Sequence, residues 1–438
     1  MIFRDAAYQQ CIHPDCGQQF GIEQVLTGCP SCGSLLDVKY DWNTAGTPTE
    51  WSYYQDKWAR RSDPLNFSGI WRFHELLPFA NPEHVVTVGE GQTLLQRADF
   101  VSKYVGVDSG NLFLQYEGMN PSGSFKDNGM SAAFTHAHSV GAERAACAST
   151  GNTSASAGMF AANEGIDCDV YIPAGQIAPG KLSQAYQFGA QIIQVEGNFD
   201  DALKQSLDDA KNHNGYTVNS VNPFRIEGQK TIPIRALEYL NWEVPDWIIY
   251  PGGALGNTSS CGKALMELYD WGWIKKIPRI AVINSEGAST LSDLYNGKFE
   301  GEELRWNKGN TNTELISRYY DHLDKEGIRP KTKATAIQIG RPANILKGLR
   351  ALEFTNGVAT TVTDSEMLDG MSVVGLNGFD CEMASGASVA GIKKLMNDGI
   401  IKKDDTVVGI LTGRQKDAMI PVDYHSNSEN TFANPPKN

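Results

Sequence analysis

The chain has 438 residues, 41% of them hydrophobic, and carries 51 acidic against 38 basic side chains, for a net charge of −13. That length allows two or three domains around a substantial core, and the acidic balance argues against binding nucleic-acid backbones or an anionic membrane surface. No apolar run is long enough to span a bilayer, and Met1-Ile2-Phe3-Arg4-Asp5 lacks the basic-then-apolar order of a secretory signal, so a cytoplasmic protein is expected.

Residues 1–45 differ from the rest, with Cys, Gly and Pro at short intervals. Cys11, Cys16, Cys29 and Cys32 follow the spacing C-x4-C-x12-C-x2-C, with Gly17 and Gly33 directly after the second and fourth. Two thiol pairs on glycine-turned knuckles fit a tetrahedral structural zinc site, and four such ligands leave no open position for chemistry. His13 replacing one cysteine, or four free thiols, are the alternatives. Cys147, Cys168, Cys261 and Cys381 sit singly in apolar contexts and read as buried thiols. Residues 46–85 are rich in aromatics and Pro and read as an arm packed on the main body.

Strand and helix signals then alternate. Leu112–Tyr116, Ala145–Ala148, Cys168–Ile172, Gln191–Glu196 and Tyr216–Asn219 read as strands. Between them lie a helix after Lys126, with Met130, Ala133, Phe134 and Ala137 on one face, a small-residue helix after Thr153, one over Lys181–Phe188, and one capped by Asn198. Trp247–Tyr250 is a continuous apolar strand, as expected for one buried on both faces, and Arg279–Ile283, Val358–Val362 and Thr406–Leu411 are further strands. Strand, helix, strand at this rhythm predicts right-handed crossovers and parallel sheets, hence an α/β fold.

In such sheets ligands gather at the carboxyl ends of strands, and five strand ends or helix starts here carry polar clusters. Gly252-Gly253-Ala254-Leu255-Gly256-Asn257 between a strand and a helix offers backbone N–H groups and a positive helix end to a phosphate, although glycines there also serve tight turns. Lys126 opens a helix after Ser122-Gly123-Ser124-Phe125, a setting in which an amine can lose its proton and attack an aldehyde. Ser149-Thr150-Gly151-Asn152-Thr153 can seat a carboxylate, or Asn152 or Thr153 can simply cap the helix. Thr412 follows a strand, as many structural threonines do. In Asn219-Ser220-Val221-Asn222-Pro223-Phe224-Arg225, Arg225 can grip a second phosphate in bidentate fashion or pair with Glu227.

Taken in order, these runs resemble the threonine synthase family, pyridoxal-phosphate enzymes of the tryptophan synthase β type. The resemblance rests on Ser124-Phe125-Lys126-Asp127, Ser149-Thr150-Gly151-Asn152-Thr153, Gly197-Asn198-Phe199-Asp200-Asp201-Ala202, Asn222-Pro223-Phe224-Arg225 and Gly252–Asn257. It extends through Gly89–Leu95, Ile339–Asn344, Cys381–Ser385 and Leu411–Asp417 and covers about residues 85–420. It implies two parallel-sheet domains preceded by a small zinc ribbon. Residues 46–126 with 221–425 would form the large cofactor-binding domain, 127–220 the small domain, 1–45 the ribbon, and 426–438 a loose tail.

The resemblance further implies that Lys126 carries pyridoxal 5′-phosphate as a Schiff base and shuttles protons. Asn152 bonds the ring hydroxyl, the backbone of Gly253, Ala254, Leu255, Gly256 and Asn257 holds the cofactor phosphate, and Thr412 faces the ring nitrogen. A neutral hydroxyl there would not hold that nitrogen protonated. Ser149, Thr150 and Thr153 bind the substrate carboxylate; Ser220 and Arg225, with Asn219 close by, bind its phosphate. The implied reaction turns O-phospho-L-homoserine and water into L-threonine and phosphate, in a homodimer. Rivals of the same fold are a cysteate synthase, using O-phosphoserine and sulfite, and a serine/threonine dehydratase. A non-catalytic binding protein would be expected to lack the lysine or the glycine loop.

Overall fold

Three sheets organise the computed structural model, which describes residues 6–46, 50–175, 179–197, 199–212 and 215–416. Their strands are β1 (Ala7–Cys11), β2 (Gln19–Gly21), β3 (Leu36–Tyr40), β4 (Leu94–Arg97), β5 (Leu112–Tyr116), β6 (Arg144–Ala148) and β7 (Asp167–Pro173). They continue with β8 (Gln191–Val195), β9 (Tyr216–Thr217), β10 (Trp247–Pro251), β11 (Arg279–Ser285), β12 (Val358–Val362) and β13 (Val407–Leu411). Contacts group the chain into two units. One comprises Met1–Gln92, Asn120–Arg235 and Asp270–Trp273; the other Thr93–Met119, Ala236–Tyr269 and Ile274–Asn438.

The first unit holds the antiparallel sheet β2-β1-β3 and the parallel sheet β8-β7-β6-β9. Helix Lys126–Ser139 packs Met130, Phe134 and Ala137 into a core with Cys147, Phe160, Val170 and Ile172. Phe134 and Phe160 stack with centroids 5.8 Å apart. Burial of such side chains contributes roughly 1.5–3 kcal/mol each, far more than the helix's own propensity supplies. The aromatic arm adds Trp71 and Phe79 to a core shared with Val38 and Tyr40 of β3 and with Phe224. The Trp71 indole N–H donates to Ser131 Oγ at 2.7 Å. His136 ties the cysteine-rich segment to this unit: Nε2 lies 2.5 Å from the Ile22 carbonyl and Nδ1 2.7 Å from the Tyr216 hydroxyl. A carbonyl only accepts, so Nε2 carries a proton; the ring stacks on Phe224 with centroids 3.5 Å apart.

β9 is shorter than the strand expected over Tyr216–Asn219. The ladder still runs from the Val218 N–H to the Ala146 carbonyl at 2.9 Å. At the next rung the Asn219 side chain replaces the backbone, accepting from the Ala148 N–H at 2.9 Å and donating to its carbonyl at 3.0 Å.

The second unit is built on one sheet, ordered β12-β11-β10-β13-β5-β4 and parallel except for the β4–β5 pair. Trp247, Ile248, Ile249 and Tyr250 are buried, as a central strand covered on both faces requires. Helix Met383–Asn397 contributes Ala384, Ala387 and Ile392 to the core with Ile249, Ile283 and Leu411. β4 gave no strand signal in the sequence because, of Leu94-Leu95-Gln96-Arg97, only Leu95 is buried. The expected class, parallel-sheet α/β with a small cysteine-bearing module in front, is the fold observed. Asn198, the expected helix cap, and the tail 426–438 lie outside the described residues. Among the described residues no helix is long and apolar enough to cross a membrane.

Candidate active site

Each group of site residues is set by elements of its own unit. In the first, Lys126 is the opening residue of helix Lys126–Ser139, half-buried, with Nζ 4.3 Å from the centre of the Phe125 ring. The next residue fixes that position. Asp127 is buried and accepts from the Ser122 N–H at 2.7 Å and from the Ser122 and Ser156 hydroxyls at 2.5 Å each. It therefore ties the loop before Lys126 to helix Asn152–Glu164. Burial pushes its carboxyl up to about 6 despite these donors. In the sequence the only sign of this role is the neighbouring Ser122 and Ser124.

Helix Asn152–Glu164 is preceded by Gly151 as its N-cap, with no side-chain cap bond. Neither Asn152 nor Thr153 is therefore the cap residue of that helix. Ser149 Oγ accepts from the Gly151 N–H at 3.1 Å, shaping the turn. Ser149, Thr150, Asn152 and Thr153 are all half-buried. Asn219 grips the end of β6, from which this run departs.

Arg225 lies on helix Pro223–Gln229, whose cap is Asn222 with Oδ1 2.9 Å from the Phe224 N–H. The guanidinium is buried, at 2% exposure. Nη1 donates to the Val218 carbonyl at 3.1 Å, while Nε and Nη2 have no partner among the described residues. Burial, opposed only weakly by the nearby Cys147 thiol, lowers its pKa to about 10. Glu227 is not its counter-ion: it pairs with Lys230 at 2.9 Å and accepts from the Tyr40 hydroxyl at 2.6 Å. Two free N–H directions on a buried cation form a ready anion site. Beside it, Arg235 Nη2 donates to Asn128 Oδ1 at 3.0 Å.

In the second unit the glycine loop follows β10. Its carbonyls are already engaged: Gly252 accepts from Asn284 Nδ2 at 2.8 Å and Ala254 from the Asn344 N–H at 3.1 Å. A Cβ on Gly252 would stand 2.6 Å from Asn284 Nδ2, so the position is restricted to glycine. Leu255 has φ +65°, a conformation costly for a side-chain-bearing residue and able to turn successive N–H groups inward. Helix Gly256–Asp270 starts there, its first N–H groups lacking intrahelical partners. Both amide atoms of Asn257 and the Thr258 hydroxyl are buried without partners. A loop with satisfied carbonyls, a helix start and unpartnered polar atoms fits a cofactor phosphate. Ala254 offers no side-chain donor. The Asn344 contact gives Ile339–Asn344 a structural role that spacing alone did not reveal.

Thr412 follows β13 and is buried; its hydroxyl lies 3.0 Å from Glu382 Oε1 and 3.1 Å from Ser385 Oγ.

The four cysteines of the front module converge. Sγ of Cys11 is 3.4 Å from that of Cys32, Sγ of Cys16 is 3.7 Å from that of Cys29, and all four lie within 4.8 Å of one another. A zinc ion bonded to four thiolates sets its sulfurs about 3.8 Å apart. Both knuckles turn at glycines of positive φ, Gly17 at +52° and Gly33 at +73°. His13 is exposed and outside the cluster.

Comparison with known proteins decides the family. The model of the pyridoxal-phosphate dependent enzymes matches residues 86–413. Threonine synthase of Methanocaldococcus jannaschii is 37% identical over 406 residues, 92% of this chain and 91% of its own. The chain belongs to the threonine synthase family. Threonine synthase of Methanosarcina acetivorans is 36% identical over 92% of this chain and 90% of its own, and that of a Bacillus species 40% over 78% and 88%. Among solved structures, diaminopropionate ammonia lyase from Escherichia coli aligns with a TM-score of 0.61 at 15% identity, covering 85% of this chain and 92% of that one. A likeness this remote in sequence concerns the fold. The pyridoxal-phosphate dependence of this threonine synthase family member therefore rests on the family match and on the close relatives.

Proposed function

We propose that the chain converts O-phospho-L-homoserine and water into L-threonine and phosphate, with the site residues named from its sequence in their expected roles. The observation that carries this choice of substrate is Arg225, a buried guanidinium with no acidic partner and two unpartnered nitrogens. It provides a second anion site besides the glycine loop, as a phosphorylated substrate requires.

When bound, pyridoxal phosphate supplies the electron sink that lets protons leave Cα and then Cβ. Lys126 Nζ would hold the cofactor at its aldehyde carbon and would serve as the base that carries those protons. Gly253, Ala254, Leu255, Gly256 and Asn257 hold the cofactor phosphate, Asn152 the ring hydroxyl, and Thr412 faces the ring nitrogen. Ser149, Thr150 and Thr153 orient the substrate carboxylate. Ser220 and Arg225 hold the substrate phosphate, with Asn219 bracing the strand end beside them. Retaining that phosphate after it leaves Cγ keeps its oxygens available to orient the water that adds at Cβ.

Cys11, Cys16, Cys29 and Cys32 would hold zinc as a staple of the front module. Buried, free Cys147, Cys168, Cys261 and Cys381 suit a reducing cytoplasm, and the family resemblance suggests a homodimer. The domain boundaries expected from sequence are kept as part of this reading.

Purified protein supplied with O-phospho-L-homoserine should release threonine and phosphate in equal amounts, and borohydride should fix the cofactor on the peptide containing Lys126. Preferential turnover of O-phosphoserine with sulfite would instead make the chain a cysteate synthase.

A further inference from the structure

Helix Pro223–Gln229, which carries Arg225, has seven residues, too few to hold a helical place without tertiary packing. Two neighbours supply that packing. One is helix Lys126–Ser139, at backbone contact: a Cβ on Gly228 would stand 1.9 Å from the Asn128 carbonyl oxygen, and one on Gly129 3.1 Å from the Arg225 carbonyl oxygen. The other is the front sheet β2-β1-β3. Ala7, Ile22, Val38 and Tyr40 share a core with Phe224, and the Tyr40 hydroxyl donates to Glu227 Oε2 at 2.6 Å. Glu227 is buried and also pairs with buried Lys230, whose Nζ sits 4.9 Å from the centre of the Tyr40 ring. Residues two apart on a helix point about 200° apart. Glu227 therefore faces away from Arg225, whose guanidinium reaches the Val218 carbonyl instead. Tyr40 ends β3, which pairs with β1 along its whole length. Its hydroxyl thus stands on a sheet and anchors the face of the helix opposite Arg225.

We propose that Tyr40 is a positioning residue for the substrate-phosphate site: acting through Glu227, it fixes the rotation and depth of helix Pro223–Gln229, and so the aim of the Arg225 guanidinium. The inference rests on the reading that Arg225 holds the substrate phosphate. A bidentate grip needs two N–H directions in register with two oxygens, so a helix shift of about 0.5 Å weakens it. Without the Tyr40 hydroxyl, buried Glu227 is one donor short, and the helix moves to recover it. The front module thereby takes part in substrate binding without touching the substrate.

Tyr40→Phe removes only the hydroxyl, and Tyr40→Leu removes the ring as well. In holoenzyme of either variant, the dissociation constant of inorganic phosphate and the KM for O-phospho-L-homoserine should rise together by roughly 3- to 30-fold. Amide hydrogen exchange should quicken over residues 223–229 and not in helix Asn152–Glu164. Cofactor absorbance and the cofactor dissociation constant should stay at the parent values, because the glycine loop belongs to the other unit. Variants that melt at a lower temperature but keep the parent's phosphate and substrate constants would make Tyr40 a stabilising contact only, and overturn the inference. An equal loss of cofactor affinity would also overturn it, since the whole unit would then have loosened. Arg225→Met separates this inference from the reading beneath it. If that variant binds inorganic phosphate as tightly as the parent, Arg225 is not the phosphate ligand, and the proposed substrate site falls together with the role of Tyr40.

Discussion

Arg225 shows at the scale of one residue how function and stability oppose each other. Burying a cation without a counter-charge costs several kcal/mol, and the lowered pKa of Arg225 expresses that cost. An arriving phosphate would offset it through the two unpartnered nitrogens. Replacement by Met, similar in length and uncharged, should therefore stabilise the ligand-free protein by about 1–4 kcal/mol. The same change should lower kcat/KM for O-phosphohomoserine on the order of 100-fold or more, since losing one partner of a buried charge pair costs about 2–5 kcal/mol. Urea denaturation and steady-state kinetics on the one variant check both directions; a destabilised protein with unchanged kinetics would make Arg225 structural.

Asp127 makes a second prediction at this scale. Its folded pKa of about 6 stands above the ordinary 3.8. The folded state thus holds the proton more tightly than the unfolded chain does. The stabilisation so gained is complete below about pH 4 and is lost as pH rises through about 6, a change of roughly 3 kcal/mol. Asp127→Asn cannot titrate. Its stability difference from the parent, measured by denaturation at several pH values, should shift in the variant's favour between pH 4 and 6. A flat difference over that window would contradict the burial argument. The role of Asp127 was hidden in sequence because nothing local says that Ser156 lies beside it.

At the scale of elements, the central strand β10 was legible because burial on both faces leaves a continuous apolar run, Trp247–Tyr250; the edge strand β12 spans the same five residues in sequence and structure although two of them are threonines. Less was visible where side chains replace backbone pairing, as Asn219 does at the end of β9. The edge strand β4 was invisible because one buried leucine carries no alternation. The site motifs were legible as strand-end clusters, while their supports, Asp127, Asn344 and Glu382, depend on contacts distant in sequence. The cysteine module carries a prediction of its own. Freshly purified protein should contain about one zinc per chain. Chelation should lower the melting temperature, because β1–β3 bear on helix Lys126–Ser139 through Ile22 and His136 and on Glu227 through Tyr40. The cofactor absorbance should persist. Metal analysis showing no zinc would leave four reduced thiols and remove the staple.

For the whole molecule, a net charge of −13 means that anionic ligands are held by local devices against the general field. The described site residues provide two such devices of different kinds, a backbone cradle at Gly252–Asn257 and a buried guanidinium at Arg225. A dehydratase acting on unphosphorylated amino acids would need only the first, and it is the second that directs the account to a phosphorylated substrate. The most direct test of that account is turnover of O-phospho-L-homoserine in heavy-oxygen water, with mass spectrometry of both products. Elimination breaks the Cγ–O bond and water then adds at Cβ. Threonine should therefore gain one heavy oxygen in its hydroxyl, while the released phosphate should keep only the oxygens of the substrate. Heavy oxygen in the phosphate and none in the amino acid would mean hydrolysis at phosphorus, and would contradict the proposed function.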